Sequence, residues 1–232
     1  MPTSPKTTER RAWRGEDMVA SNASGQTTPP ISMMTDLINP VDNSSRRRLS
    51  IALLVLDLDA DVSLIIDSCL DESCKYRIAC IASYREASRA IFNAEAKGVR
   101  KFVKRSEAAM VEALASIEID AVFVIGDLPS NALIKDIWKI FSFRHTYHPD
   151  HRYFGPESRD RMKEALRNRA QCVTTSLRVN ASSTNFGSSI FDRVDEIPKR
   201  ATIRTLEELH KKAHVEVFCT ADIGPFLESW ER

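Results

Sequence analysis

A chain of 232 residues has room for one domain of ordinary size and a tail, which excludes two full domains as the first expectation. Hydrophobic residues make up 43% and charged residues 28%, as in globular proteins, and no apolar run reaches the roughly 18 residues of a bilayer-spanning helix. The formal net charge of +1 gives no overall field that would draw nucleic acid or an anionic membrane, so neither is expected as a partner.

Residues 1 to about 45 are rich in Ser, Thr, Pro and Asn and carry few large apolar side chains, a composition that cannot offset ordering entropy and reads as disordered. Arg10, Arg11 and Arg14 hint at a transit peptide, but Glu9, Glu16 and Asp17 oppose it. Within this tail, Ile31–Ile38 puts Met33, Met34, Leu37 and Ile38 on one side of a short helix bounded by prolines. It is either a docking motif for a protein partner or a slightly apolar stretch of linker. Arg46-Arg47-Arg48-Leu49-Ser50 has the form of a basophilic kinase site; the simpler reading is three solvated arginines closing the linker, with Ser50 entering a strand.

The boundary falls there: residues 1–48 are tail and linker, and 49–232 are one α/β domain with a largely parallel central sheet and flanking helices. From Leu49 onward, apolar runs of strand length alternate with helical segments. Strands are predicted at 50–56, 76–82, 101–103, 121–125, 143–146, 172–179 and 189–197. Helices are predicted at 62–70, 85–97, 106–117, 131–138, 156–168 and 205–226. Gly98 stands where the second helix needs a left-handed cap. The odd cysteine count and the apolar setting of most of Cys69, Cys74, Cys80, Cys172 and Cys219 imply reduced thiols, hence a cytoplasmic or nuclear compartment.

Several strings then fall in a familiar order. Ile81-Ala82-Ser83-Tyr84-Arg85 through Lys97-Gly98-Val99, Asp120-Ala121-Val122-Phe123-Val124-Ile125-Gly126, Tyr147-His148-Pro149, Val173–Val179 and Ala213-His214 are collinear with segments of the folate-dependent formyltransferases. Over roughly 180 residues the chain resembles glycinamide ribonucleotide formyltransferase and its relatives. The resemblance implies 10-formyltetrahydrofolate as cofactor, bound by Ile125, Gly126, Asp127, Leu128, Asn180 and Gly187. It implies a catalytic group of His148, Thr146 where the family has Asn, and Asn185 where it has Asp. In such a site an amine loses a proton to the imidazole, a donor holds the oxyanion, and a carboxylate supports the imidazolium. Neutral Asn185 cannot do the last of these.

The family's glycine-rich phosphate loop is also replaced. Asp57-Leu58-Asp59-Ala60-Asp61 follows the first strand, and no glycine occurs between residues 26 and 97. Backbone amides approach a phosphate only where side chains are absent, and carboxylates repel it. These aspartates read as caps of the following helix; Mg²⁺ binding is the alternative. His145, His148 and His151 recur every three residues and could hold a metal, although Pro149 puts His145 in a strand and His151 in the loop beyond. His210 and His214 read as a packed or surface pair on the last helix. Arg159, Arg161, Lys163, Arg167 and Arg169 read as a solvated helix face rather than a nucleic-acid surface, because acids interleave and no aromatic platform accompanies them.

Three functions follow: a divergent, non-catalytic or strongly impaired protein with a cleft related to the formyl-folate site and room for a small ligand; an active formyltransferase acting on an unphosphorylated amine; and a metal-dependent hydrolase using His145, His148 and His151.

Overall fold

The computed structural model describes residues 47–126, 139–147, 158–180 and 188–230. The tail and its Ile31–Ile38 motif, and the helix predicted at 131–138, lie outside these residues. In chain order the elements are β1 (Leu49–Val55), α1 (Ser63–Leu70), β2 (Tyr76–Ser83), α2 (Arg89–Ala96), β3 (Lys101–Val103), α3 (Glu107–Ala115), β4 (Ala121–Ile125), β5 (Ile140–Thr146), α4 (Ser158–Arg167), β6 (Cys172–Asn180), β7 (Ser188–Glu196), α5 (Ile203–Thr220) and α6 (Gly224–Trp230).

The seven strands form one sheet in the order β3-β2-β1-β4-β5-β6-β7. The β1–β2, β1–β4, β2–β3 and β4–β5 pairs are parallel, and β6 and β7 join antiparallel. Strands covered on both faces must be apolar at nearly every position, and β1 and β4 read Leu-Ser-Ile-Ala-Leu-Leu-Val and Ala-Val-Phe-Val-Ile. Alternate residues of β1 serve opposite faces. Ile51, Leu53 and Val55 pack under α1, α2 and the C-terminal helices, while Ala52 and Leu54 pack against Met110 and Leu114 of α3. A third, smaller cluster joins Tyr147, Met162, Ala165, Val173 and Leu206.

Ser50 is buried in β1, where its N–H donates to the Asp120 carboxylate at 2.7 Å, so the segment is strand and not an open kinase site. Arg48 donates to the carbonyls of Cys69 and Tyr76 and is therefore no longer a solvated linker charge. Gly98 has φ +66° and closes α2 through Gly98 N–H to Glu95 O at 3.2 Å and Val99 N–H to Ala94 O at 2.9 Å, a Schellman ending.

Two predicted helices need correction. The one expected at 85–97 begins at Arg89, with Ser88 as its extended N-cap residue. The one expected over 205–226 is broken: α5 ends at Thr220, Ala221 turns extended, and α6 begins at Gly224. Pro225 explains the break, since its ring fits only the first turn of a helix, and Asp222 accepts from the Gly224 N–H at 3.0 Å to start the new one. The strand expected at 143–146 begins at Ile140, because β4 and β6 both offer partners to Ile140–Ser142.

Candidate functional site

The chain leaves β1 through α1 on one face of the sheet and returns to β4 through α3 on the other. That reversal opens a crevice beyond the carboxyl ends of β1 and β4, where open α/β sheets bind ligands. Gly126 makes the junction tight: with φ +108°, a Cβ there would stand 3.0 Å from the Asp57 nitrogen. The Leu56 N–H closes the junction onto the Ile125 carbonyl at 2.9 Å.

A cavity of about 40 Å³ lies at this point, walled by the β1–α1 turn, the end of β4, Phe143 and His145 of β5, α4, and the Glu207–His214 stretch of α5. Ile125 and Gly126, expected at a ligand, line it. Thr146 follows His145 at the end of β5, half-buried and outside that lining. Asn180 lies beside Ile140 and donates to the Ser142 hydroxyl at 2.7 Å. It is therefore separated from Thr146, which pairs with Thr174, by the length of β5, roughly 20 Å at ~3.3 Å per residue. Asp127, Leu128, His148, His151, Asn185 and Gly187 lie outside the described residues.

The aspartates of the β1–α1 turn divide their roles. Asp61 accepts from the Ser63 N–H at 3.0 Å and the Ser63 hydroxyl at 2.6 Å, and so caps the start of α1 as expected. Its other oxygen pairs with Arg89 of α2 at 2.9 Å and with Lys211 of α5. Burial alone would raise this carboxyl, but the Lys211 and Ser63 hydrogen bonds and the Arg89 charge overcome it and lower the pKa to about 2. Asp57 instead turns inward. Burial pushes its pKa up, offset only in part by hydrogen bonds from Ser158 and the Asp59 N–H and by the Arg161 charge.

Arg161 corrects the reading of α4 as a solvated basic face. It is 7% exposed and shares the inward stripe with Met162 and Ala165, as a 3.6-residue period dictates, while Arg159, Lys163 and Arg167 stay outside.

Above Arg161 three imidazoles meet. His145 Nε2 and His214 Nε2 are 2.8 Å apart, the His145 and His210 rings stack with centroids 3.9 Å apart, and His210 Nε2 is 2.8 Å from the Tyr147 hydroxyl. Thr175 of β6 stands 3.3 Å from His145 Nδ1. Burial lowers all three pKa values, that of His214 to about 4; the neighbouring rings and Arg161 push His145 and His210 down further. The rings are neutral at physiological pH. His210 and His214 are thus a packed pair, and their partner His145 was not foreseen. The i, i+4 spacing on α5 was the available signal, but strand and helix lie far apart in sequence. Among the described residues no group of His, Cys, Asp or Glu has the arrangement to hold a metal ion.

No protein-family model and no curated protein matches the chain. Solved structures do. Phosphoribosylglycinamide formyltransferase of Anaplasma phagocytophilum superposes with a TM-score of 0.63 at 15% identity, covering 79% of this chain and 88% of that one. Glycinamide ribonucleotide transformylase 1 of Geobacillus kaustophilus gives 0.61 at 20% identity over 75% and 96%. A formyltetrahydrofolate deformylase of Pseudomonas syringae pv. tomato gives 0.59 at 12% identity over 80% and 63%. The chain has the formyltransferase fold. No helix among the described residues is long and apolar enough to cross a membrane.

Proposed function

We propose that this chain is a non-catalytic or strongly impaired protein of the formyltransferase fold, with a cleft related in position to a 10-formyltetrahydrofolate site and unable to take a phosphorylated acceptor. One observation carries the reading: the Asp61 carboxylate, with its side chain 8% exposed, already sits at the N-terminus of α1 between Arg89 and Lys211. A helix start flanked by two cations is what an anionic ligand requires, and here the chain supplies the anion itself. The test is turnover of glycinamide ribonucleotide with 10-formyltetrahydrofolate, alongside calorimetric titration with 5-formyltetrahydrofolate. Absence of turnover is expected; formyl transfer at an ordinary enzymatic rate overturns the proposal.

A second reading keeps catalysis, with 10-formyltetrahydrofolate, an unphosphorylated amine acceptor, His148 as acid/base and Thr146 as oxyanion donor. What favours it is that Ile125 and Gly126, the positions this reading puts against the folate, line the cavity. Formyl transfer to glycinamide, a primary amine without phosphate, distinguishes the two. The metal-dependent reading has no such support: His145 faces His210, His214 and Thr175.

A further inference from the structure

We propose that His145, His210 and His214 form a pH-operated latch that holds the first half of α5 over the cavity and releases it on acidification. The latch goes beyond the functional reading above and stands whether or not the cleft is catalytic.

The geometry has two parts. His145 belongs to β5, whereas His210 and His214 sit one turn apart on α5, so every contact among the three except their own spacing ties helix to sheet. Their neighbours are polar only sparsely. The Tyr147 hydroxyl meets His210, the Thr175 hydroxyl meets His145, and the Phe143 ring lies 4.7 Å from the His214 ring. Arg161 of α4 adds a positive charge beside the first two. Carboxylates are near but engaged elsewhere: Asp57 with Ser158 and Arg161, and Asp61 with Arg89 and Lys211. Asp59 and Glu207 also line the cavity, and no carboxylate among the described residues is hydrogen-bonded to any of the rings.

Proton counting gives the release. In the Nε2–Nε2 contact one nitrogen donates and the other accepts, which two neutral rings satisfy. One added proton is tolerated, because an imidazolium still donates to a neutral ring. A second puts N–H against N–H at 2.8 Å, and the pair must part. A proton on His210 sets a cation face to face with His145 and beside Arg161. The helix has an anchor that does not titrate: Val217 and Phe218, fully buried, belong to the large core, while Leu206 belongs to the small cluster with Tyr147 and Met162. Release therefore loosens the turns of α5 around His210 and His214, between the apolar contacts of Leu206 and Val217, and opens the cavity wall there.

Amide hydrogen exchange of the full chain, compared at pH 7.5 and pH 5.0 after correction for intrinsic rates, tests the latch. Amides of Leu206–His214 are expected to speed up at least tenfold relative to those of Ile51–Leu54 and of Val217–Thr220. Equal acceleration throughout, or none, overturns the proposal. His214→Phe keeps an aromatic ring against Phe143 and removes the titrating pair; it is expected to lose most of the acid response, and a full response in that variant also overturns the proposal. If His214→Phe does not fold, His145→Gln takes its place, and the wild-type profile decides by itself if neither does.

Discussion

In the parallel half of the sheet, β1 to β4 with α1, α2 and α3, buried side chains are almost all apolar; in the half built from β5, β6 and β7 with α4 and α5, His145, Arg161, Thr175, Ser176, Asn180, His210 and His214 are buried as well. The first half is held by area removed from water, which changes little with pH. The second depends on hydrogen-bond geometry and protonation, so it can be loosened under conditions that leave the first intact. The difference follows from topology. Parallel strands covered by helices on both faces admit few polar groups, Ser50 and Ser83 at their ends among them, whereas the antiparallel strands receive α5 across a layer of histidines.

The comparison is tested most severely at the centre of the apolar half. Phe123 is fully buried and its ring meets Tyr76, Phe141, Phe143 and Phe218 at centroid distances of 5.3 to 6.1 Å. Phe123→Ala is expected to cost about 3–5 kcal/mol by urea unfolding, with no dependence on pH between 7.5 and 5. A loss under 1 kcal/mol would show that the aromatic cluster does not hold the sheet.

Asp61→Asn comes next, at roughly 2–3 kcal/mol, because a carboxyl lowered to about 2 loses its partners Arg89 and Lys211. A depressed carboxyl stabilises above its unfolded value near 4, and the contribution disappears as pH falls toward 2. The same variant is expected to gain millimolar phosphate binding in calorimetry, since two cations at a helix start are then left without their anion.

Acid acts on the second half through the imidazoles. Each folded-state pKa is lowered, so between the unfolded value of 6.5 and the folded one the unfolded chain binds more protons. Stability is complete above pH 6.5, falls through the window down to about 4 for His214, and levels off below it. His214 alone accounts for about 2 kcal/mol by pH 5, measurable as a pH series of urea midpoints. A flat series would remove the contrast between the halves.

The smallest effect compares two helix ends. Arg169 takes φ +53° after α4 and makes the same pair of bonds that Gly98 makes after α2: its N–H reaches Leu166 O at 3.3 Å, and the Ala170 N–H reaches Ala165 O at 2.9 Å. A side chain in that conformation costs about 1 kcal/mol, so Arg169→Gly is expected to raise stability by roughly 0.5–1 kcal/mol, while Gly98→Ala lowers it. A loss of stability in both variants would mean that tertiary contacts of Arg169 outweigh its backbone strain.

Much of the first half was legible. Strands at 101–103 and 121–125 were read to the residue, and Gly98 took the conformation expected of it, because continuous apolar runs and helix-ending glycines are local signals. Asp61 likewise caps α1 as its place before the helix implied. Legibility failed where one residue type served two ends. The apolar pattern of 205–226 ran on through Ala221 and Ile223, both buried, so periodicity alone did not show that Pro225 starts a new helix. Arg161 lay among exposed charges and only its helical phase, shared with Met162 and Ala165, set it apart.

The sequence by itself determined the order of the strands, the largely apolar parallel half and the absence of glycine from the β1–α1 turn, since each is written in contiguous residues whose periods and conformational freedom act locally. Only the tertiary structure decided that Asp61 meets Lys211, 150 positions along the chain, and that His145 meets His210 and His214. Those pairings arise from the strand order and from the face on which α5 lands, and they set the charges: Lys211, Ser63 and Arg89 keep Asp61 ionised against its burial, and burial keeps the three imidazoles neutral, with no carboxylate among the described residues bonded to them.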